Sequence, residues 1–350
     1  MNNYTVGIAC HSFRIDGGMG RYVQLLTEGL TNLGIRPVVI TKKVDRSLPS
    51  CSRVDLQEIN CKIIPSKLRD HYYNYRLGRY LDKHPLDIVI SCNRNTHSDI
   101  AICGGTHIGF CRAMHLSESF FDRKMIALEK AYYQNAKLIV AHSNGMRQEL
   151  IDLYGISPEK CPTIYPPVSL NLFKSSSSPS KLPSLRKEGV FTFVIPSAGN
   201  HRVKGLDLLI EYFSKTSLPV RLLVAGRPIN GQHKNVEYIG FRSDMPEVFR
   251  SVDFTILGSR YEAFGQVAIE SIACGTPVVL SKNVCAAEVI GDNVKFMFDI
   301  NSFESFEHTV QEAIKSFPNT KIQNPANYLQ ITTDITKHVV DIIKAYEFRK

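Results

Sequence analysis

Residues 258–279 read Gly-Ser-Arg-Tyr-Glu-Ala-Phe-Gly-Gln-Val-Ala-Ile-Glu-Ser-Ile-Ala-Cys-Gly-Thr-Pro-Val-Val, directly after the apolar run Phe254 to Leu257. The run has the length and flanks of a buried strand. The polar stretch after it is a loop carrying Glu262, and a helix begins near Gly265 with Glu270 on its second turn. A strand, a loop and a helix in that order aim two carboxylates at one crevice.

Outward from this segment the same alternation of apolar runs and helical patterns fills the chain, which marks an α/β protein with parallel sheets covered on both faces. In the first half the strand-like runs are Thr5 to Ala9, Arg36 to Ile40, Ile88 to Ser91, Ala101 to Cys103 and Leu138 to Ala141. Tyr22 to Leu33 is the first crossover helix, and Gly34 stops it. Pro166-Pro167 and the stretch Ser175 to Ser180 then interrupt regular structure, placing a domain boundary near residue 167. The second half restarts with Phe191 to Pro196, Val220 to Ala225, Tyr238 to Gly240, Phe254 to Leu257 and Val278 to Leu280. A last helix, Ile335 to Phe348, presents Val339, Val340, Ile343 and Tyr346 on one side. The expected organisation is therefore 1–167 and 168–334, with 335–350 as a terminal helix.

Length and composition set the class. A chain of 350 residues exceeds what one core serves, and 43% hydrophobic with 21% charged residues is ordinary for a soluble globular protein. Nine cysteines without a C-x-x-C pair give neither a disulfide framework nor a zinc knuckle, so a reduced cytoplasmic compartment fits. No cationic leader precedes the first strand, and no segment approaches the roughly 20 apolar residues of a membrane span. The formal charge of +9 favours acidic partners, namely nucleic acid, an anionic membrane surface or phosphorylated substrates. Nucleic acid is disfavoured because no recognition-helix, RNP-like or zinc-finger pattern is present.

Three further loops carry candidate chemistry. His11-Ser-Phe-Arg-Ile-Asp-Gly-Gly-Met-Gly-Arg21 leads into the first helix, and Gly17 and Gly18 let backbone N–H groups approach a phosphate or a hydroxyl. A plain strand-to-helix turn satisfies the same glycines. The spacing is not that of a dinucleotide fingerprint, which argues against a nicotinamide cofactor. Ser197-Ala-Gly-Asn-His-Arg-Val-Lys-Gly205 sets Arg202 and Lys204 before a helix start, where they could hold a diphosphate or stand as solvated charge. His107, in Cys103-Gly-Gly-Thr-His107, falls at the carboxyl end of a strand, where ligands bind in open sheets; a structural histidine is the alternative. No His/Asp/Glu grouping has metal-ligand spacing, so no metal is assigned. Two basic, tyrosine-bearing segments, 69–84 and 112–137, suit an anionic interface, although a solvated helix face explains either one.

The segment 258–279 resembles the E-x7-E signature of retaining, nucleotide-sugar-dependent glycosyltransferases of family 4, with bacterial lipopolysaccharide-core glucosyltransferases the nearest in look. The resemblance covers nearly the whole chain and is strongest from 190 to 290. It implies the GT-B fold, two Rossmann-like doubly wound domains facing a central cleft, with the terminal helix crossing back to the first domain. By resemblance Glu262 approaches the donor sugar, with His107 near its anomeric carbon, while Glu270 binds the ribose. Gly17, Gly18, Lys204 and Arg202 lie by the diphosphate, the stretch at Phe241 holds the base, and Phe264, Gly265, Gln266 and Val267 complete the donor site. The Lys204-Gly205 pair matches directly. Arg202 departs from the commoner spacing and matches the lipopolysaccharide-core members, which hold the arginine beside the lysine. The implied reaction moves a hexose or N-acetylhexosamine from a nucleoside diphosphate sugar, by resemblance a UDP-sugar, to a glycan or glycolipid. No cofactor or metal is required, and a peripheral contact with the inner face of the cytoplasmic membrane would suit such an acceptor. A sugar-nucleotide epimerase of similar build and a non-enzymatic basic adaptor are the competing readings.

Overall fold

The computed structural model describes residues 4–15, 17–176, 181–197, 199–317, 320 and 322–349. The end of the serine-rich stretch expected at the boundary, 177–180, lies outside them. The chain divides into two compact units, 1–167 with 334–350, and 168–333.

The first unit runs β1 (Val6–Cys10), α1 (Gly17–Asn32), β2 (Val38–Thr41), β3 (Asp55–Glu58), α2 (Arg69–Leu81), β4 (Ile88–Ser91), β5 (Ile100–Cys103), α3 (His107–Ala113), α4 (Phe120–Asn135), β6 (Leu138–Ala141) and α5 (Asn144–Tyr154). The second runs β7 (Phe191–Ser197), α6 (Leu206–Lys215), β8 (Val220–Gly226), β9 (Val236–Tyr238), α7 (Met245–Arg250), β10 (Phe254–Leu257), α8 (Gln266–Ala273), β11 (Val278–Ser281), β12 (Lys295–Phe298) and α9 (Phe303–Ser316), and α10 (Ile335–Glu347) rejoins the first unit. Each unit holds a six-stranded sheet, ordered β3-β2-β1-β4-β5-β6 and β12-β11-β10-β7-β8-β9, and all ladders between these strands are parallel. Both are doubly wound Rossmann-like sheets, with a switch point between β1 and β4 in the first and between β7 and β10 in the second.

Central strands such as Val6–Cys10 and Phe254–Leu257 are buried throughout, which is why they read as unbroken apolar runs rather than as an alternation. The edge strands β3 and β12 escaped the sequence reading. Asp55-Leu-Gln-Glu58 has one neighbour and two exposed ends, so it carries no apolar signal. β2 starts at Val38 rather than Arg36, after Pro37, which has no N–H for a ladder. α1 starts at Gly17, five residues before the expected Tyr22, so the glycines form its first turn rather than a loop.

Aromatic packing organises both cores. In the second unit Phe193 stacks on Phe254 with centroids 5.0 Å apart, beside the fully buried Phe213, Phe298 and Phe306. In the first, Tyr73, Tyr132 and Tyr133 are fully buried; the Tyr73 hydroxyl donates to the Ile40 carbonyl and that of Tyr132 to Ser91, each at 2.6 Å. Each such ring contributes roughly 1.5–3 kcal/mol. These three tyrosines lie in the segments expected to face an anionic interface, so they serve the core instead, and the exposed aromatics there are Tyr75, Phe120 and Phe121. α10 packs against α1 at Gly29, where a Cβ would stand 2.5 Å from Val339 Cγ2. No helix among the described residues is long and apolar enough to cross a membrane.

Candidate active site

At the second unit's switch point the loops after β7 and β10 come together. Gly205 has φ +65°, and a Cβ there would stand 1.8 Å from the Gly258 carbonyl oxygen, so only glycine permits this approach of the two backbones. Arg260 clamps the same junction: its N–H donates to the Val203 carbonyl at 2.9 Å, and its guanidinium donates to the Arg202 carbonyl at 2.5 Å and to both Asp207 oxygens at 2.7 and 2.9 Å. The junction carries Lys204 and Glu262, joined at 2.5 Å between Nζ and Oε2. The buried Ser259 donates its hydroxyl to the same oxygen at 3.1 Å, while its carbonyl accepts from Ser281 Oγ at 2.7 Å. Lys204 keeps 33% of its side chain exposed and Glu262 16%, enough for a ligand to reach both.

The remaining second-unit candidates divide. Gly265, with φ +103°, caps α8, and a Cβ there would meet Val284 Cγ1 at 2.8 Å and Glu262 Cγ at 3.5 Å, so the glycine holds the glutamate loop close to the helix start. Phe264 is buried and its carbonyl accepts from the Ala286 N–H at 2.6 Å, a packing position. Gln266 and Val267 are half-buried in the first turn of α8, and Glu270 is buried one turn on. Phe241 is 77% exposed beyond β9. Arg202 is exposed and contributes a carbonyl to Arg260, while its guanidinium has no hydrogen-bond partner among the described residues; Lys204, not Arg202, is the cation brought to Glu262. Arg260 and Ser259 were not foreseen, because a serine beside an arginine reads as ordinary loop surface until the two loops are seen to meet.

In the first unit Gly17 and Gly18 open α1, with nothing within 4 Å of where their Cβ atoms would be. His107 begins α3, behind the N-cap Thr106. It is held twice: its N–H donates to Glu129 Oε2 at 2.7 Å, and Nε2 lies 2.9 Å from Asp122 Oδ1. Hydrogen bonds from Ser119 and then His107 hold the Asp122 carboxyl down at about 2. Glu129 is the hub beneath, fully buried, accepting also from Arg94 Nε at 2.6 Å and from the Tyr154 hydroxyl. A glutamate among helical charges gave no sign of this role. His107, Cys111 and Asp122 bring three ligand-capable atoms within 4.8 Å of one another, a grouping not apparent from spacing; two of the three are joined by the His107–Asp122 bond, and Asp122 is also in the capping box with Ser119. Asp99 sits at the amino end of β5, where it accepts from the Val89 N–H at 3.0 Å and pairs with Lys137 at 3.4 Å.

Two family models match in the order these units take: Glycosyltransferase Family 4 over residues 16–172 and Glycosyl transferases group 1 over 183–323. A Burkholderia thailandensis protein described as a probable transglycosylase is 36% identical over 314 residues, 89% of this chain and 86% of that one. Among solved structures, WaaG, a glycosyltransferase involved in lipopolysaccharide biosynthesis, superposes with a TM-score of 0.78 at 18% identity over 99% of both chains. HepE of Anabaena, solved in complex with UDP-glucose, gives 0.71 at 16% identity over 98% of this chain and 100% of that one. The chain belongs to the glycosyltransferases with a Family 4 region followed by a group 1 region, it has the GT-B fold, and it is a glycosyltransferase enzyme.

Proposed function

We propose that this enzyme transfers a hexosyl or N-acetylhexosaminyl unit, with retention, from a nucleoside diphosphate sugar, UDP-linked by resemblance, to a glycan or glycolipid such as a lipopolysaccharide core. The observation that carries the reading is the Lys204–Glu262 pair at the second switch point, where open sheets bind nucleotides. A diphosphate offers Lys204 Nζ more negative charge than one carboxylate. Its arrival draws the ammonium off Glu262 and leaves the carboxylate, still fixed by Ser259, beside the sugar. The N–H groups at the start of α8 add to the neutralisation.

As the bond from C1 to the leaving phosphate oxygen breaks, positive charge grows on the sugar ring, and a glutamate already in place stabilises it without reorganising. The acceptor hydroxyl forms the new bond on the same face, and its proton passes to the departing phosphate. Atoms and charge balance without a metal or another cofactor. Glu270 suits the ribose hydroxyls, since hydrogen bonds count for more away from bulk water. HepE, with UDP-glucose bound, supports the UDP donor, and WaaG supports the lipopolysaccharide acceptor. The exposed Phe120 and Phe121, with Lys124 Nζ 5.0 Å and Lys67 Nζ 4.2 Å from their respective ring centroids, suit a peripheral contact with an anionic membrane on the cytoplasmic side. Incubation of the enzyme with UDP-glucose, UDP-galactose and UDP-N-acetylglucosamine in the presence of deacylated lipopolysaccharide core tests the reading. An α-linked product from one donor is expected, and a β-linked product would overturn retention.

A further inference from the structure

The first unit has a switch point of its own, and it is equipped with side chains that neither the donor chemistry nor the core employs. His11 follows β1 directly, Lys42 follows β2, Arg94 lies just past β4, and Asp70 is in the first turn of α2. Lys42 Nζ donates to Asp70 Oδ1 at 2.6 Å, and His11 Nδ1 is 3.7 Å from the same oxygen. Arg94 is near enough to lower the proton affinity of both His11 and Asp70. Surrounding atoms and Lys42 hold the His11 imidazole down at about 4, and 44% of its side chain stays exposed. Burial acts to raise the Asp70 pKa, but His11, Lys42 and Arg94 outweigh it and keep the carboxylate ionised.

What these groups leave unused is specific. Arg36 and Arg221 donate from all three guanidinium nitrogens to protein oxygens, as bracing arginines do. Arg94 donates through Nε alone, and among the described residues both of its terminal nitrogens have no partner, with 26% of the side chain exposed. Glu129 beneath it is shared with the His107 N–H and the Tyr154 hydroxyl, which leaves the guanidinium fork able to attract an anion. The hydrogen bond that Asp70 accepts from Lys42 falls on Oδ1, and among the described residues neither Asp70 Oδ2 nor His11 Nε2 has a hydrogen-bond partner.

We infer that the switch point of the first unit binds the acceptor as a polyol carrying a phosphate or a carboxylate, with the Arg94 fork on the anion and Asp70 and His11 on hydroxyl groups. The inference rests on the transferase reading and names the class of its acceptor. Calorimetric titration of the full chain at low salt with glucose, glucose 6-phosphate, glucuronate and inorganic phosphate tests it, with UDP, GDP and ADP titrated in parallel. Glucose 6-phosphate and glucuronate should bind at least about tenfold more tightly than glucose, the advantage of a charge-assisted fork. Arg94→Lys should cut that preference to about threefold, because a point charge replaces the fork. Asp70→Asn should weaken all three sugars and leave inorganic phosphate unchanged. Equal affinity for glucose and glucose 6-phosphate in the wild type would overturn the proposal even if Arg94→Lys fails to fold, as would an undiminished preference in a folded Arg94→Lys. UDP binding that persists while the sugars fail refutes this site alone, whereas failure of UDP, GDP and ADP alike to bind refutes the donor reading.

Discussion

The two sheets share one winding, yet their switch points are furnished differently. In the second unit two short loops are pressed together at Gly205 and Gly258, leaving one cation and one carboxylate in direct contact. In the first, His11, Lys42, Asp70 and Arg94 spread over the ends of three strands and a helix, and a buried glutamate holds Arg94 and His107 from below. A close, rigid junction suits a constant feature of a donor, its diphosphate. A broader spread of polar groups suits hydroxyl patterns that vary. On the functions proposed above, the same topology would serve two kinds of recognition, decided by loops rather than by strands.

The sharpest way to break this contrast is Glu262→Gln. Transfer should fall by roughly 10² to 10³ or more, as when a preorganised charge is removed from a transition state. UDP affinity should hold or rise, because Lys204 loses its competitor. A parallel fall in UDP binding would mean that the glutamate supports the nucleotide rather than the sugar. Gly205→Ala attacks the junction itself: a left-handed backbone and a Cβ 1.8 Å from a carbonyl oxygen should cost about 3 kcal/mol and abolish UDP binding, read by thermal unfolding with and without nucleotide.

Acid should separate the units next. His142 and His338 lie buried beside Tyr22 in the first unit, and burial pushes them down to about 3 and about 4. Unfolded, each takes up a proton below about pH 6.5. The folded form resists it, so stability is lost as pH falls from about 6.5 toward 4, at most roughly 1.4 kcal/mol per pH unit for each histidine. Hydrogen exchange followed from pH 7 to pH 5 should show the first unit opening earlier, and His338→Gln should flatten that slope. The smallest expected effect is at the surface. Phe120→Ser with Phe121→Ser should reduce sedimentation with phosphatidylglycerol vesicles a few-fold and leave UDP binding unchanged, and unaltered sedimentation would remove the proposed membrane contact.

Much of the second unit's candidate site was legible as a layout because it is written in consecutive residues. Strand, glutamate loop and helix follow one another from Phe254 to Ala273, and the lysine loop has the same layout after β7. The partnership of Lys204 with Glu262 was not legible, since it depends on a backbone contact between residues far apart in the chain. Glu129 and Ser259 were hidden for the same reason: burial, not residue type, turns an ordinary glutamate or serine into a holder of other groups. The tyrosines of 69–84 and 112–137 misled in the opposite sense, because a ring on a basic helix reads the same whether it faces solvent or core. The edge strand β3 was invisible because Asp55-Leu-Gln-Glu58 carries no apolar run, whereas β6, an edge strand too, was legible because all four of its residues are apolar and buried.

Hydrogen–deuterium exchange of the full chain with and without UDP, repeated with GDP and ADP, tests most directly whether the second switch point is the donor site. Protection by one of these nucleotides should concentrate in 199–206 and 258–270, with little change around His11 and Arg94. Protection confined to the first unit, with 199–206 unaltered, would contradict the account.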